Sequence, residues 1–349
     1  MEVLEVRKTQ KVGYSTLSIS LPKKWTSEVG LKRGDAVTLR SEGRILSVYP
    51  GSTGAEPATR DCTIDGEECR EPGMLYQALV GSYMMGFDSI TVESKRPLSV
   101  ASTEDLHQAV QSLLGAGIVE QHPNRVVIQN FIDPSKFSIP LLAKRLHTLL
   151  DSMLRTLIDN VYRMDAQVAT DIGRSKMEAA RVYNLIVRQL LSGIQDRSAA
   201  RKMEVDSPLI IVGGRVVCRN LAAIAECLEN IANALLGLAT SKKPPSKKNL
   251  EALAELLTNT RLAVEKGYGA VYAGDFLQAS LVSKSVQALE AAAVEAWSAV
   301  QKTEKDPRVS SLLTFAIAEI RDIAKFVEGM REIAVNHSLL KTSRYVNIH

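Results

Sequence analysis

The chain has 349 residues, 45% hydrophobic and 23% charged, enough apolar material for a large core and a length that suits two or three domains. Its 43 Lys and Arg stand against 39 Asp and Glu, a net charge of +4, and aromatics at 5% argue against a single-strand binder that stacks bases. No run of about 18 apolar residues is present, so no membrane insertion is expected. The opening MEVLEVRK lacks the apolar stretch of a signal peptide. The cysteines, Cys62, Cys69, Cys218 and Cys227, form no C-x-x-C pair, which suits reduced thiols in a cytoplasm. Cys218 and Cys227 are nine apart, which sets them on opposite faces of a helix.

In the first fifty residues, alternation over 16–21 puts Leu17, Ile19 and Leu21 on one face and serines on the other, the pattern of a half-buried strand. Pro22 ends its pairing, having no N–H to donate. A helical turn is expected over 23–29, closed by Gly30 in a left-handed conformation. Strands follow over 36–40 and 44–49, joined by a turn at Glu42–Gly43. So small a segment, with few large apolar groups and no cysteine, needs a partner to fold, and strand exchange between two copies is the simplest solution.

The run S-L-P-K-x-W, followed by E-x-G-L-K-x-G-D-x-V and a hairpin ending in proline, resembles the SpoVT/AbrB family. That resemblance implies a swapped-hairpin β-barrel made by two intertwined copies, with DNA as partner. Residues 1–50 hold nine basic and five acidic side chains, so they carry the whole net charge and the remainder is balanced. Such an excess suits contact with phosphates. Arg7, Lys8, Lys11, Lys23 and Lys24 are the candidate DNA-binding residues, for phosphate contact and orientation, with base reading by one or two of them.

A linker is expected over 51–57, then a small α/β connector over 59–132. Its elements are a short strand at 62–64, a helix opened by Pro72 and stopped at Gly86, and a strand over 88–94. A helix over 104–114 capped by Ser102 or Thr103 and a hairpin turning at 122–125 complete it. No chemistry is legible there, and His107 and His122 are isolated. The segment 83–90 and Leu114-Gly115-Ala116-Gly117-Ile118-Val119 are similar to the connector of archaeal PhoU-like proteins with an AbrB-type domain in front.

From Ser138 the apolar period becomes helical, with Leu146, Leu149, Leu150, Met153, Leu154, Leu157, Ile158, Val161 and Met164 at i, i+3, i+4 spacing. Further helical stretches cover 176–191 and 216–238, with 206–208 as a loop or helix entry. The run 241–248, with paired prolines and four lysines, reads as a solvated linker. Helices over 249–273, 275–303 and 308–336 follow, so bundles over 138–241 and 246–345 suggest an internal duplication. The tail 344–349 carries no signal.

Residues 181–191 and 221–232 are similar to the second- and third-helix motifs of the PhoU family, which implies tandem three-helix bundles and a link to phosphate uptake. In that family an E-x-x-x-D pair on the third helix, with acids on the second, can hold a metal cluster. Here Ala222 takes the first position and only Glu226 is acidic; Met177, Glu178 and Ala180 thin the second-helix acids, and Arg321 and Lys325 occupy the second bundle's motif. Cations in place of carboxylates repel a metal, so no metal site and no cofactor are expected.

The fold class is thus multidomain: a dimeric swapped-hairpin barrel, an α/β connector and two all-α bundles. The expected function is a homodimeric, cytoplasmic, DNA-binding regulator linked to phosphate homeostasis. The alternative is an adaptor that docks a phosphate transporter or a sensor kinase, with the barrel only dimerising. An antitoxin-like role is weaker, given so large a helical half. No enzyme is expected, since G-x-x-x-x-G-K-[ST], H-E-x-x-H and a Ser/His/acid grouping are all missing and Gly213–Gly214 lacks the flanks of a phosphate loop.

Overall fold

A computed structural model describes residues 5–42, 45–51, 60–133, 136–195, 200, 203–205, 207–340, 342 and 345–347. The expected turn at Gly43, the linker beyond Gly51, Asp206 and half of the 344–349 tail lie outside the described residues. The chain divides into two compact units, Met1–Thr59 and Arg60–His349.

In the first unit, β1 (Gln10–Val12) pairs antiparallel with β2 (Thr16–Ser18), Lys11 opposite Leu17. The expected strand over 16–21 is cut to three residues. Leu17 is 68% exposed and Ile19 52%, because no second layer covers this hairpin within one chain. Helix α1 (Lys23–Glu28) follows Pro22, and Gly30 ends it at φ +66°. Strands β3 (Val37–Glu42) and β4 (Ile45–Pro50) form a second antiparallel hairpin. The two hairpins are separate sheets, no barrel closes among the described residues, and none of the residues whose side chains are described there is buried.

The second unit begins with an α/β module. Strands β5 (Asp61–Asp65), β6 (Ser89–Glu93), β7 (Ala116–His122) and β8 (Arg125–Asn130) form one sheet in the order β5-β6-β8-β7, with β5 and β6 parallel and the other pairs antiparallel. Helices α2 (Met74–Met84) and α3 (Val100–Gln111) pack together and bury Leu75, Leu79, Tyr83, Leu106 and Ala109 near Ile90, Val92, Val126 and Ile128. Gly73, not Pro72, is the N-cap of α2. Helix α3 starts four residues earlier than expected. Ser99 caps it by accepting from the Ser102 N–H, while the Thr103 hydroxyl, expected as a cap, donates back to the Ser99 carbonyl.

The rest of this unit is helical. Helices α4 (Ile139–Asn160), α5 (Ala166–Gln195) and α6 (Pro208–Ala239) form one set. Helices α7 (Lys247–Ala273), α8 (Phe276–Thr303) and α9 (Pro307–Ser338) form the other. Side chains of Ser207, Ser246, Asp275 and Asp306 cap the N-termini of α6, α7, α8 and α9. The two sets join through α6, which packs against α4, α5 and α9, and through α4 against α7. Helix α6 runs antiparallel to α9, as the Arg308 donation to Thr240 at one end and the Gly213–His337 approach at the other require.

Because α6 is covered on two faces, both Cys218 and Cys227 are buried, although they point in opposite directions. The same covering explains its composition. Helix α6 is long and apolar enough to cross a membrane by length and composition, with a mean hydropathy of 1.5 over its most apolar window, and half of that window is buried inside the protein. The sequence has no unbroken apolar run of that length, because Arg215, Arg219 and Glu226 interrupt it. Scattered Arg, Asn and Glu residues break the apolar run without lowering its average below the threshold of a span.

One side chain ties the α/β module to the bundles. Arg188 of α5 is 3% exposed and donates to the carbonyls of Tyr83 (2.8 Å) and Phe87 (2.7 Å) and to Asp88 Oδ1 (2.5 Å), with its guanidinium 5.0 Å from the Tyr83 ring centre. Burial works to lower the Arg188 pKa, and the charge of Asp88 opposes it.

Replacing Arg188 with Ala strips three acceptors of their donor and is expected to cost about 3 kcal/mol, read as a lower urea midpoint of the full chain. An alanine Cβ at Gly213 would lie 2.7 Å from His337 Nε2 and 2.9 Å from Ile333 Cγ2, so G213A is expected to destabilise the α6–α9 crossing by about 1–3 kcal/mol in the same assay. Burial pushes the Cys218 thiol up to about 12, which leaves about one thiolate in ten thousand at pH 8. Cys218 should therefore escape a thiol reagent in the native protein and react after denaturation, whereas half-buried Cys62 and Cys69 react first.

Candidate nucleic-acid interface

The five cations singled out from sequence all lie in the first unit and are all exposed. Arg7 and Lys8 precede β1, Lys11 sits within it, and Lys23 and Lys24 open α1. Alternation along β1 and the Lys11–Leu17 register determine where Lys11 stands, and Pro22 determines where α1 begins. Arg7 is paired with Glu5, and Lys24 with Glu28 at 4.0 Å. Lys8, Lys11 and Lys23 have no ion pair among the described residues. Asp35 accepts from the Lys32 N–H at 2.7 Å, which spends its carboxylate on the turn before β3, where Gly34 adopts φ +95°. Glu5, Glu28 and Asp35 are thus occupied by short-range contacts. No hydrogen bond among the described residues joins Arg7, Lys8 or Lys11 to Lys23 or Lys24.

The same unit leaves Val12, Leu17, Leu39, Ile45 and Leu46 exposed, with Leu39 61% and Ile45 68% accessible. Apolar strand residues of this kind on two short hairpins, beside a positive surface, are the geometry of an unfinished module.

The residues at the thinned metal motif are engaged in pairing. Glu178 meets Arg145 and Arg181, Glu226 meets Arg219 at 3.1 Å, and Glu229 meets Lys176 at 3.2 Å. In the second bundle Lys325 pairs with Asp322 at 2.7 Å. Among the described residues no three metal-ligating side chains come together.

Two groupings escaped the sequence reading. Where α4 crosses α7, His147 stacks on Tyr268 at 4.1 Å between ring centres, and Asp151 accepts from Arg155 (2.8 Å) and Arg261 (2.5 Å). Burial lowers the His147 pKa. Burial would raise that of Asp151, but the hydrogen bonds from Arg155 and Arg261 outweigh it and hold the carboxyl below its usual range. This is a neutral ring and a doubly bound carboxylate, an arrangement that fixes a helix crossing. The second grouping is a crevice in the α/β module lined by Glu67, Arg70, Ser94, Arg96 and Ser102. Its signal in the sequence is the strand, six-residue loop and serine-capped helix over 89–102, hidden by setting the cap at Ser102 or Thr103.

No family profile and no curated protein matches the sequence. Among solved structures, the chain is similar to the phosphate transport system regulatory protein PhoU from Streptococcus pneumoniae, at 13% identity and a TM-score of 0.49, over 57% of this chain and 92% of that one.

Proposed function

We propose that the protein is a homodimeric DNA-binding regulator linked to phosphate uptake, acting in the cytoplasm, with the helical half as its sensory or partner-binding module. The observation that carries this reading is the first unit, which leaves its apolar strand residues exposed in a single chain and whose residues 1–50 carry nine basic against five acidic side chains. A second copy, by exchanging hairpins, covers those faces and closes a barrel. The excess charge of both copies then meets one stretch of duplex. The link to phosphate rests on the resemblance of residues 181–191 and 221–232 to the PhoU family. Arg7, Lys8, Lys11, Lys23 and Lys24 contact phosphates in this reading.

A second reading, an adaptor for a phosphate transporter or sensor kinase, draws support from an apolar stripe on the first two turns of α6. Leu209, Val212 and Val216 lie at i, i+3 and i+7 and are all exposed. The two readings separate when residues 1–50 are exchanged for an unrelated dimerising domain: an adaptor keeps its partner and a DNA-binding regulator loses its operator.

Binding to genomic DNA fragments across a salt series is expected to fall steeply with salt, and replacing Lys23 and Lys24 with Ala should flatten the log–log slope by about one unit per lost phosphate contact. An unchanged slope removes both lysines from the interface. Replacing Leu39 with Asp puts a charge on the face proposed to meet the second copy, and sedimentation should then show a monomer in place of a dimer. A dimer that survives this change places the association elsewhere.

A further inference from the structure

The α/β module has a crevice at the carboxyl ends of its two parallel strands, β5 and β6. Open α/β sheets bind ligands at this edge because the loops leaving neighbouring strands part there. The space measures ≈ 390 Å³. Gly66, Glu67 and Arg70 come to it from the β5–α2 loop, Ser94 and Arg96 from the β6–α3 loop, and Ser102 from the first turn of α3. The loops are pinned: the Gly66 N–H donates to Glu93 O at 2.7 Å and the Ser94 N–H to Asn124 O at 2.9 Å. A Cβ at position 66 would come 2.9 Å from the Leu98 side-chain tip and 3.3 Å from the Glu93 carbonyl oxygen, so the loop passes close to both. The crevice is therefore a built feature of the sheet edge.

Its polar groups are unevenly satisfied. Arg70 is oriented by donating to the Glu67 carbonyl (3.3 Å) and to Glu68 Oε1 (3.1 Å). The Arg96 side chain has no hydrogen bond or ion pair among the described residues. Glu67 Oε1 is buried and has no hydrogen-bond partner. A buried carboxylate oxygen left without a donor is costly, and a group that supplies an O–H removes that cost. The occupant implied by this lining is anionic, to suit two guanidiniums and serine hydroxyls, and also carries its own O–H. Sulfate at neutral pH has the charge but no proton. A hydrogen phosphate group has both.

We propose that this crevice binds a protonated phosphate group, free or at the end of a small monoester. Arg70, Arg96 and the hydroxyls of Ser94 and Ser102 hold its oxygens, and Glu67 Oε1 accepts its O–H. This deepens the phosphate part of the reading above and does not use the DNA part. The test contains no DNA, so failure of one leaves the other standing.

The experiment is calorimetric titration of the full chain at about pH 6, where roughly half of a phosphate monoester keeps its proton, with inorganic phosphate, glycerol phosphate and sulfate in separate arms. Saturable phosphate binding is expected, with sulfate at least about tenfold weaker. R96A, which alters an exposed side chain, is expected to weaken phosphate binding about tenfold, and E67Q to bring sulfate level with phosphate. Tighter binding of glycerol phosphate than of inorganic phosphate identifies a monoester as the source; the reverse order identifies the free ion. The proposal is overturned if neither phosphate arm saturates, if sulfate equals phosphate on the unsubstituted chain, or if R96A binds as the unsubstituted chain does.

Discussion

The arrangement of the helical half depends on one constraint: α6 is covered on two opposite faces. A helix at the surface of a bundle needs a single apolar stripe, but α6 buries Leu221, Ile224, Ala225, Leu228, Ile231 and Leu235 among α4, α5 and α9. Double covering demands apolar residues most of the way round, which is why this helix alone among those described has the hydropathy of a span. It also demands close approach. Gly213 and Gly237 of α6 and Gly329 of α9 sit where a Cβ would come within 3.0 Å of His337, Leu312 and Asn220 respectively. The two helix sets meet through this seam, so Gly213 and Gly237 act as spacing elements of α6.

Arg188 extends that frame to the α/β module. It holds the chain just before β6, at Tyr83, Phe87 and Asp88, and β6 carries the phosphate crevice at its opposite end. The strand between is paired on both sides, with β5 and with β8, and its Ile90 and Val92 are buried. A paired strand moves as a body. A group bound between the β5–α2 and β6–α3 loops therefore presses on an element whose other end is fixed to α5 by three hydrogen bonds.

The sequence was most readable where periodicity is long. The stripe from Leu146 to Val161 and the change of pattern at Ser138 marked the helical half, and the helix starts expected at 275 and 308 lie one residue from those observed, Phe276 and Pro307. Helix ends were less legible. Residues 166–175 and 208–215 extend α5 and α6 well before the stretches that periodicity picked out, because tertiary covering stabilises turns whose own pattern is weak. The α3 start was misplaced because Ser99, Ser102 and Thr103 all have capping chemistry, and only the Ser99–Ser102 hydrogen bond decides among them. The crevice was illegible for a different reason. Glu67, Arg70 and Arg96 form no local motif, and parallel pairing of β5 with β6 is what brings their loops together.

The first unit inverts this relation between pattern and burial. Its alternation over 16–21 reads as half-buried, yet Leu17 and Ile19 are mostly exposed in one chain. Alternation records the environment in which a sequence is selected, so apolar residues repeating on one face of a strand imply a layer against that face. Two isolated hairpins without a buried residue cannot offset the entropy of ordering them. The missing layer has to come from outside the hairpins themselves. A second copy supplies the same alternating faces in matching number, and two-fold pairing is the economical way to cover both hairpins at once. In the dimer proposed above, that step would also double the excess positive charge of residues 1–50 on one module, so association and attraction to a polyanion would follow from the same fifty residues.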